Sequence, residues 1–332
     1  MVCGLGQIGT RHAKIILNNP NAQLLGIIDI DKKKAKTDLV TQHNLPFYEN
    51  IRSAFEAQTP DVVCVCTPNG THAALAMRVL NQNTHVIIEK PMALSATDCA
   101  LLIAKGLEVN KQIFVVKQNR YSPPSQWLKQ TIDSNILGEI YMVQLNCYWN
   151  RDDAYYNMAG WRGSLLLDGG PLFTQFSHFI DLLYWVFGDI DNISAKFSNF
   201  KHQHNTNFED SGMVNFNFKN KQTLGCIQYS TANYHQNFES SLTVLAENGT
   251  LKIGGQYANE ITHCHIKNYT LPEIKPTEPS NDYGGFLGSA ANHHLLIENV
   301  VNTLNGSETP TANANDGKMV VDIIERIYAL KT

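Results

Sequence analysis

Six residues near the start of the chain restrict its fold more than any others. Gly4-Leu5-Gly6-Gln7-Ile8-Gly9 has the pattern Gly-x-Gly-x-x-Gly, and a helical segment begins directly after it, near Thr10. Glycines at these spacings permit a tight strand-to-helix turn and let the backbone approach a pyrophosphate seated on the helix N-terminus. The pattern alone also fits a glycine turn that holds no ligand. The strand that follows, however, ends in Asp29, 20 residues beyond Gly9 (29 − 9). That is the offset at which an acid binds the ribose of an adenosine, and a carboxylate there repels a 2′-phosphate, so NAD is favoured over NADP. The expected cofactor contacts in this region are Gly4, Gly6, Gln7, Ile8, Gly9, Asp29 and Ile30. Only Met1-Val2-Cys3 precede Gly4, so the first strand is either unusually short or lacks a few residues.

The rest of the first 120 residues agrees with a dinucleotide fold. Leu24–Ile28, Val62–Cys66, Val86–Ile88 and Ile113–Val116 are continuous apolar runs, the signature of strands buried on both sheet faces. Between them, His72–Gln82 places Ala76, Val79 and Leu80 at helical spacing, and Ser95–Leu107 is similar. Alternating strands and helices predict an α/β Rossmann domain over 1–120, with a doubly wound parallel sheet. After about Ser122 the texture changes. Tyr141, Val143, Leu145 and Cys147 alternate with polar neighbours, and Gly212–Phe218, Thr223–Tyr229 and Ser240–Ala246 follow as strands joined by short polar turns. This predicts a second, α+β domain over 121–332 with a largely antiparallel open sheet. Helical patterns are expected over Leu172–Phe187, from near Ser289, and over Asp316–Ala329 with Asn315 as its cap; this last helix can pack back on the first domain. Leu271–Asn281 is expected to be a surface loop.

Composition removes other classes. With 43% hydrophobic and 17% charged residues in 332, the chain can build a sizeable core. Its apolar runs are far shorter than the ~20 residues of a membrane span. A net charge of -4 with scattered Lys and Arg argues against nucleic acid, and Lys32–Lys36 is expected to be a solvated helix start. Seven cysteines behind no leader point to reduced thiols and a cytoplasmic protein. Cys64 and Cys66 share one strand face. His263-Cys264-His265 lacks a third ligand at metal spacing, so no metal is expected. His202, His204, His293 and His294 are expected in loops or helix starts, the last two beside Asn292 as candidates for a substrate cleft.

In open α/β sheets, ligands bind beyond the carboxyl ends of the strands. Three strands here end in polar clusters: Thr67-Pro68-Asn69, Glu89-Lys90-Pro91 and Lys117-Gln118-Asn119-Arg120. The glycine loop, then Thr67-Pro68-Asn69 with His72, then Glu89-Lys90-Pro91, resembles the Gfo/Idh/MocA oxidoreductases over nearly the whole chain. Within that family the chain looks most like the WlbA-type UDP-N-acetyl-glucosaminuronate 3-dehydrogenases. That closer match rests on Val115–Arg120, Tyr155-Tyr156, Trp161-Arg162-Gly163, Asp168-Gly169-Gly170, Ser177-His178, Glu209–Gly212 and Gly249–Gly255. The resemblance implies NAD as cofactor and oxidation of a UDP-linked sugar acid at C3, in nucleotide-sugar biosynthesis for surface polysaccharide such as lipopolysaccharide. It also implies a homo-oligomer, a tetramer or dimer paired through the exposed sheet face. Whether 2-oxoglutarate reoxidises NADH in place stays open.

Oxidising a secondary alcohol needs a hydride acceptor and a base for the hydroxyl proton. A lysine serves only if its pKa falls from about 10.4 toward neutrality through burial and a nearby cation. The resemblance gives that role to Lys90, whose peptide bond to Pro91 is often cis in the family, and pairs it with His178. On its own, His178 on the apolar segment Leu172–Phe187 reads as a core histidine. Related enzymes often carry Asp four residues earlier, where this chain has Thr174, with Gln175 next. Thr67, Pro68, Asn69, His72, Glu89, Lys90 and Pro91 complete the expected cofactor contacts. The expected substrate contacts are Lys90, Gln118, Asn119, Arg120, Tyr156, Trp161, Arg162, Asp168, Thr174, Gln175 and His178. Arg162 and Arg120 are the candidate cations for carboxylate and diphosphate. Tyr155, Tyr156 and Trp161 either stack on sugar or uracil or pack between domains. Two rivals remain: a dehydrogenase of a free sugar or cyclitol, and a non-catalytic NAD-binding sensor; a third, NAD-dependent glycoside cleavage through a transient 3-keto sugar, is set aside only by the closer WlbA-type resemblance.

Overall fold

The computed structural model describes residues 1–331; Thr332, the last residue of the expected second domain, lies outside the described residues. The chain divides into two compact units. One holds Met1–Lys117 and His293–Val321, the other Gln118–Asn292 and the residues from Asp322 onward. The first unit therefore ends at Lys117 rather than residue 120, and it recovers a late segment of the chain.

In the first unit six strands run parallel: β1 (Val2–Cys3), β2 (Ile27–Ile28), β3 (Phe47–Tyr48), β4 (Val62–Val65), β5 (His85–Ile88) and β6 (Ile113–Val115). Their order is β3-β2-β1-β4-β5-β6, which reverses direction at β1. Ligands of such sheets bind at that switch point. The crossovers are α1 (Gln7–Asn18), α2 (Asp38–Gln42), α3 (Ile51–Ala57), α4 (His72–Leu80) and α5 (Ala96–Glu108). Local chemistry sets their starts: Asn50 caps α3 by accepting from the Ser53 N–H, and Ser95 caps α5 by accepting from that of Asp98. Val63, Val65, Val86 and Ile88 are fully buried, as strands covered by helices on both faces require.

The second unit contains α6 (Pro123–Asp133), β7 (Ile140–Tyr148), α7 (Asp153–Asn157), α8 (Pro171–Thr174), α9 (Ser177–Phe187), β8 (Ile190–Ser198), β9 (Ser211–Phe218), β10 (Leu224–Ser230), β11 (Glu239–Ala246), β12 (Gly249–Gly254) and β13 (Glu260–Ile266). The seven strands form one sheet, β13-β12-β11-β7-β10-β9-β8. All neighbours pair antiparallel except β10 and β7, which run parallel. Along β9, Gly212, Val214, Phe216 and Phe218 are buried while Met213 and Asn215 are exposed. One face thus meets α9 and the other faces outward. A small hairpin, β14 (Ser280–Asp282) with β15 (Leu287–Ala290), follows, and the helices α10 (His293–Leu304) and α11 (Ala314–Tyr328) close the chain.

Several local expectations need correction. Leu172–Phe187 is two helices, α8 and α9, separated at Gln175-Phe176. Ser289 lies in β15, so the next helix starts at His293 instead. The cap of the last helix is Asn313, not Asn315: Asp316 N–H donates to Asn313 Oδ1 and Asn313 N–H to Asp316 Oδ2, each at 3.1 Å. That reciprocal arrangement satisfies two N–H groups at once, which Asn315, already inside the helix, could not do. Ser280 ends the irregular stretch by opening β14, so Asn281 is strand rather than loop.

Candidate active site

The glycine loop has the shape a pyrophosphate needs. Gly4 has φ +93, and a Cβ there would sit 2.6 Å from the Cys66 carbonyl oxygen; a Cβ on Gly9 would sit 1.7 Å from that of Gly4. A Cβ on Gly6, by contrast, would meet nothing within 4 Å. The loop is therefore closed toward the protein and open on one side. Gly6 opens α1 with no side-chain cap, and the first turn carries no acid, which leaves N–H groups and the positive end of the helix for an anion. At the end of β2, Asp29 Oδ2 accepts from Leu5 N–H at 2.6 Å and Oδ1 from Asp31 N–H at 2.8 Å. Each oxygen keeps a lone pair for a ribose hydroxyl. Ile30 beside it is 90% exposed, an apolar surface suited to an adenine. These residues fit NAD. Gln7 and Ile8 form the first turn of α1.

The other strand ends of this unit are more deeply built than their sequence suggests. Thr67 and Thr71 share a hydroxyl hydrogen bond of 2.7 Å, Thr71 Oγ1 donates to the Pro68 carbonyl, and Asn69 is buried. His72, expected among the cofactor contacts, is turned inward with 1% exposure. Its ring nitrogens face the carbonyl oxygens of Pro91 at 2.7 Å and Thr67 at 2.8 Å. Burial pushes its pKa down while the two carbonyls pull it up. His72 is thus a staple between two strand ends. Glu89 is likewise buried, bonded to His12 at 2.8 Å. Lys90 is half-buried and joined to Pro91 by a cis peptide bond.

In the second unit the expected substrate residues fall into two groups. Gln118, Asn119 and Arg120 are all 2% exposed. Gln118 Nε2 donates to Ser289 Oγ at 3.1 Å, and Asn292 Nδ2 donates to the Gln118 carbonyl and to Ser122 Oγ. The Asn119 amide has no hydrogen-bond partner among the described residues, the state in which a buried polar group calls for a ligand or water. Arg120 differs from expectation. Its guanidinium forks onto Asp181 at 2.9 and 2.8 Å, with both side chains 1% exposed, and lies 5.4 Å from the Trp185 ring centroid. That fork is a structural pair rather than a cation held out to a substrate.

The second group gathers around Tyr155. Arg162 lies 4.1 Å from the centre of its ring, and Gln175 Nε2 donates to its hydroxyl at 2.9 Å. Arg162 is half-buried and also lies 5.7 Å from the Trp161 ring. Asp168 is fully buried; it accepts from Gly163 N–H at 2.9 Å and from Thr174 Oγ1, and so fixes the loop that presents Trp161 and Arg162. Tyr156 packs edge-on against Tyr155 at 5.1 Å. His178 is buried on α9.

Sequence reasoning missed Arg151. It is buried against the rings of Trp149, Tyr155 and Phe286, at 4.8, 5.1 and 5.0 Å, and its hydrogen bonds go to Asn150 O, Asn237 Oδ1 and Leu287 O. Burial pushes its pKa down. Only its place between two aromatic segments hinted at this. His202, expected in a loop, is fully buried, donating to the Arg151 carbonyl at 2.6 Å and lying 3.2 Å from Asp210.

A doubly wound unit with an open glycine loop on an uncapped helix and an acid at the end of β2 has the features of an NAD-binding Rossmann domain. The chain belongs to the Gfo/Idh/MocA family: the family model described as the oxidoreductase family, NAD-binding Rossmann fold, matches residues 1–117, and the GFO/IDH/MocA C-terminal domain matches residues 125–252. Its cofactor is NAD. Among solved structures it is similar to the WlbA dehydrogenase of Chromobacterium violaceum in complex with NADH and UDP-GlcNAcA, at 30% identity and TM-score 0.88 over 99% of this chain and 92% of that one. The WlbA dehydrogenase of Bordetella pertussis, with the same ligands, gives 29% and 0.85 over 99% and 94%. Glucose-6-phosphate 3-dehydrogenase of Bacillus subtilis is 24% identical over 98% of this chain and 94% of its own. No helix among the described residues is long and apolar enough to cross a membrane.

Proposed function

We propose that this protein oxidises the C3 hydroxyl of UDP-linked N-acetyl-glucosaminuronic acid to the 3-keto sugar, in the cytoplasm, as a step in surface-polysaccharide synthesis. The observation that carries this reading is the likeness, at 29–30% identity over 99% of the chain, to two WlbA dehydrogenases solved with that sugar nucleotide. Bound NAD supplies the hydride acceptor. Gly4, Gly6 and Gly9 with the start of α1 hold its pyrophosphate, and Asp29 takes its ribose hydroxyls. Lys90 removes the proton of the C3 hydroxyl, and His178 is its partner in that transfer. Arg162, half-buried against Tyr155, meets the carboxylate or diphosphate, and its planar fork suits either group. Gln118, Asn119, Tyr156, Trp161, Thr174 and Gln175 complete the substrate contacts.

The outward face of the second sheet, where Met142, Met213, Leu224 and Leu245 are exposed, is the surface through which two copies would pair. A second reading, oxidation of a sugar that carries no nucleotide, draws support from the likeness to glucose-6-phosphate 3-dehydrogenase. Mass spectrometry of the products separates the two. The first reading expects UDP-N-acetyl-glucosaminuronic acid to lose two hydrogens while glucose 6-phosphate and inositol are untouched; the reverse result overturns it. Adding 2-oxoglutarate shows whether NADH is recycled in place.

A further inference from the structure

Glu89 is a buried carboxylate that serves two masters. Its Oε1 accepts from His12 Nε2 at 2.8 Å, and His293 Nε2 lies 3.7 Å from the same oxygen. Its Oε2 accepts from the Lys90 backbone N–H at 3.1 Å. His12 is fully buried and His293 is 1% exposed, their rings meeting edge-on with centroids 5.6 Å apart. The groups facing this cluster are Cys64, Cys66, His72, Arg11 and Lys90. A carboxylate out of water needs a cationic partner, and a second buried cation would be costly. Protonated His12, ionised Glu89 and neutral His293 form the arrangement that balances. The shifts agree in direction. Burial would strip the proton from His12, but contacts with Cys64 and Glu89 hold its pKa at about 10. Burial would protonate Glu89, but the His12 contact holds it at about 2. Burial depresses His293 to about 3.

A buried ion pair is a poor way to add stability, since apolar replacements often do as well. What this pair does is join two places. His12 sits on α1, three residues after Gly9, in the helix whose N-terminus receives the pyrophosphate. Glu89 grips the backbone of Lys90, 77 residues away along the chain from His12. We propose that His12 and Glu89, braced by His293, are positioning residues that tie the pyrophosphate helix to the Lys90 segment, so that cofactor binding orders the lysine's backbone. The catalytic consequence rests on the reading of Lys90 as the base; the tie itself does not.

The test is hydrogen–deuterium exchange on the full chain with ADP-ribose, a probe that carries both phosphates and no nicotinamide. In the wild-type protein ADP-ribose should slow exchange in Gly4–Gly9 and, by about tenfold, in the peptide spanning Glu89–Leu94. In His12→Gln and in Glu89→Gln the first protection should persist and the second should vanish. Turnover should fall by about 10–100-fold with the Kd for NAD changed less than about threefold. Should a single variant fail to fold, the double variant removes both charges together and leaves none buried alone. Equal protection of Glu89–Leu94 in wild type and variants, or none in wild type, overturns the tie. The three donor atoms lie within 4.8 Å of one another, so a stoichiometric metal in the purified protein would also overturn it. Exchange needs no substrate, so a wild-type protein that orders Lys90 but oxidises no sugar nucleotide would fail the functional reading and keep the tie.

Discussion

In the first unit the groups that would hold the cofactor follow one another along strand ends, and the backbone does much of the work: a glycine loop, an uncapped helix, a carboxylate at the end of β2. In the second unit, side chains brought from far apart build the candidate site and the frame that supports it. Arg120 meets Asp181 across 61 residues, Gln118 meets Ser289 across 171, and Arg162, Gln175 and Phe286 converge on Tyr155. A backbone site tolerates many side chains around it but few changes in the glycines. A side-chain site can change its ligand one residue at a time. On the proposed reading, the first unit fixes what kind of reaction is run, and the second fixes on what.

Four experiments test that division. The largest effect is expected at Lys90, which sits in the cofactor unit yet should act on the substrate. Lys90→Ala should lower kcat by about 10²–10⁴-fold while calorimetry finds the Kd for NAD nearly unchanged. Parallel losses in both would remove the distinction between holding the cofactor and doing the chemistry. Next is the contrast of the two arginines. Arg120→Met leaves Asp181 charged and buried and should cost about 3–5 kcal/mol in denaturant unfolding. Arg162→Gln should leave stability nearly unchanged and raise KM for the sugar nucleotide by about 30-fold, about 2 kcal/mol. If Arg120→Met is instead as stable as wild type with a raised KM, the structural assignment of Arg120 fails.

Between the two arginines in size falls Gly9→Ala. Its Cβ would press on the Gly4 carbonyl at 1.7 Å, so NAD affinity should drop by about 100-fold, about 2.7 kcal/mol. Unaltered binding would mean the loop does not take the pyrophosphate as described. The last effect is a slope, small over any one pH unit. His12 has its pKa raised from 6.5 to about 10 in the folded chain. Its contribution is therefore complete below 6.5 and is lost as pH rises toward about 10. Between pH 6.5 and 9, wild-type stability should fall relative to His12→Gln by up to about 1.4 kcal/mol per pH unit. Identical slopes would contradict a protonated His12.

Much of the first unit was legible because both its fold and its ligand are encoded locally. β-branched runs between helical patterns gave the sheet, and the distance from Gly9 to Asp29 gave the cofactor. The local signals failed where tertiary partners decide. Glu89 and His72 lie in motif segments at strand ends, and nothing in their neighbourhood says that both turn inward to carbonyls and imidazoles. Arg120 looked like a free cation because its partner Asp181 lies on another helix. Apolar periodicity over Leu172–Phe187 hid the break at Gln175-Phe176, since both short helices bury the same kinds of residue. Arg151 carried no motif and emerged only from the rings around it.

The central claim, that this oxidoreductase acts on C3 of a UDP-linked sugar acid, is tested most directly by following the NADH absorbance band with purified protein, NAD and UDP-N-acetyl-glucosaminuronic acid, with and without 2-oxoglutarate. NADH formed, or 2-oxoglutarate consumed by protein that retains its cofactor, is the predicted result. A flat trace and unconsumed 2-oxoglutarate, from protein shown to bind NAD, would contradict it.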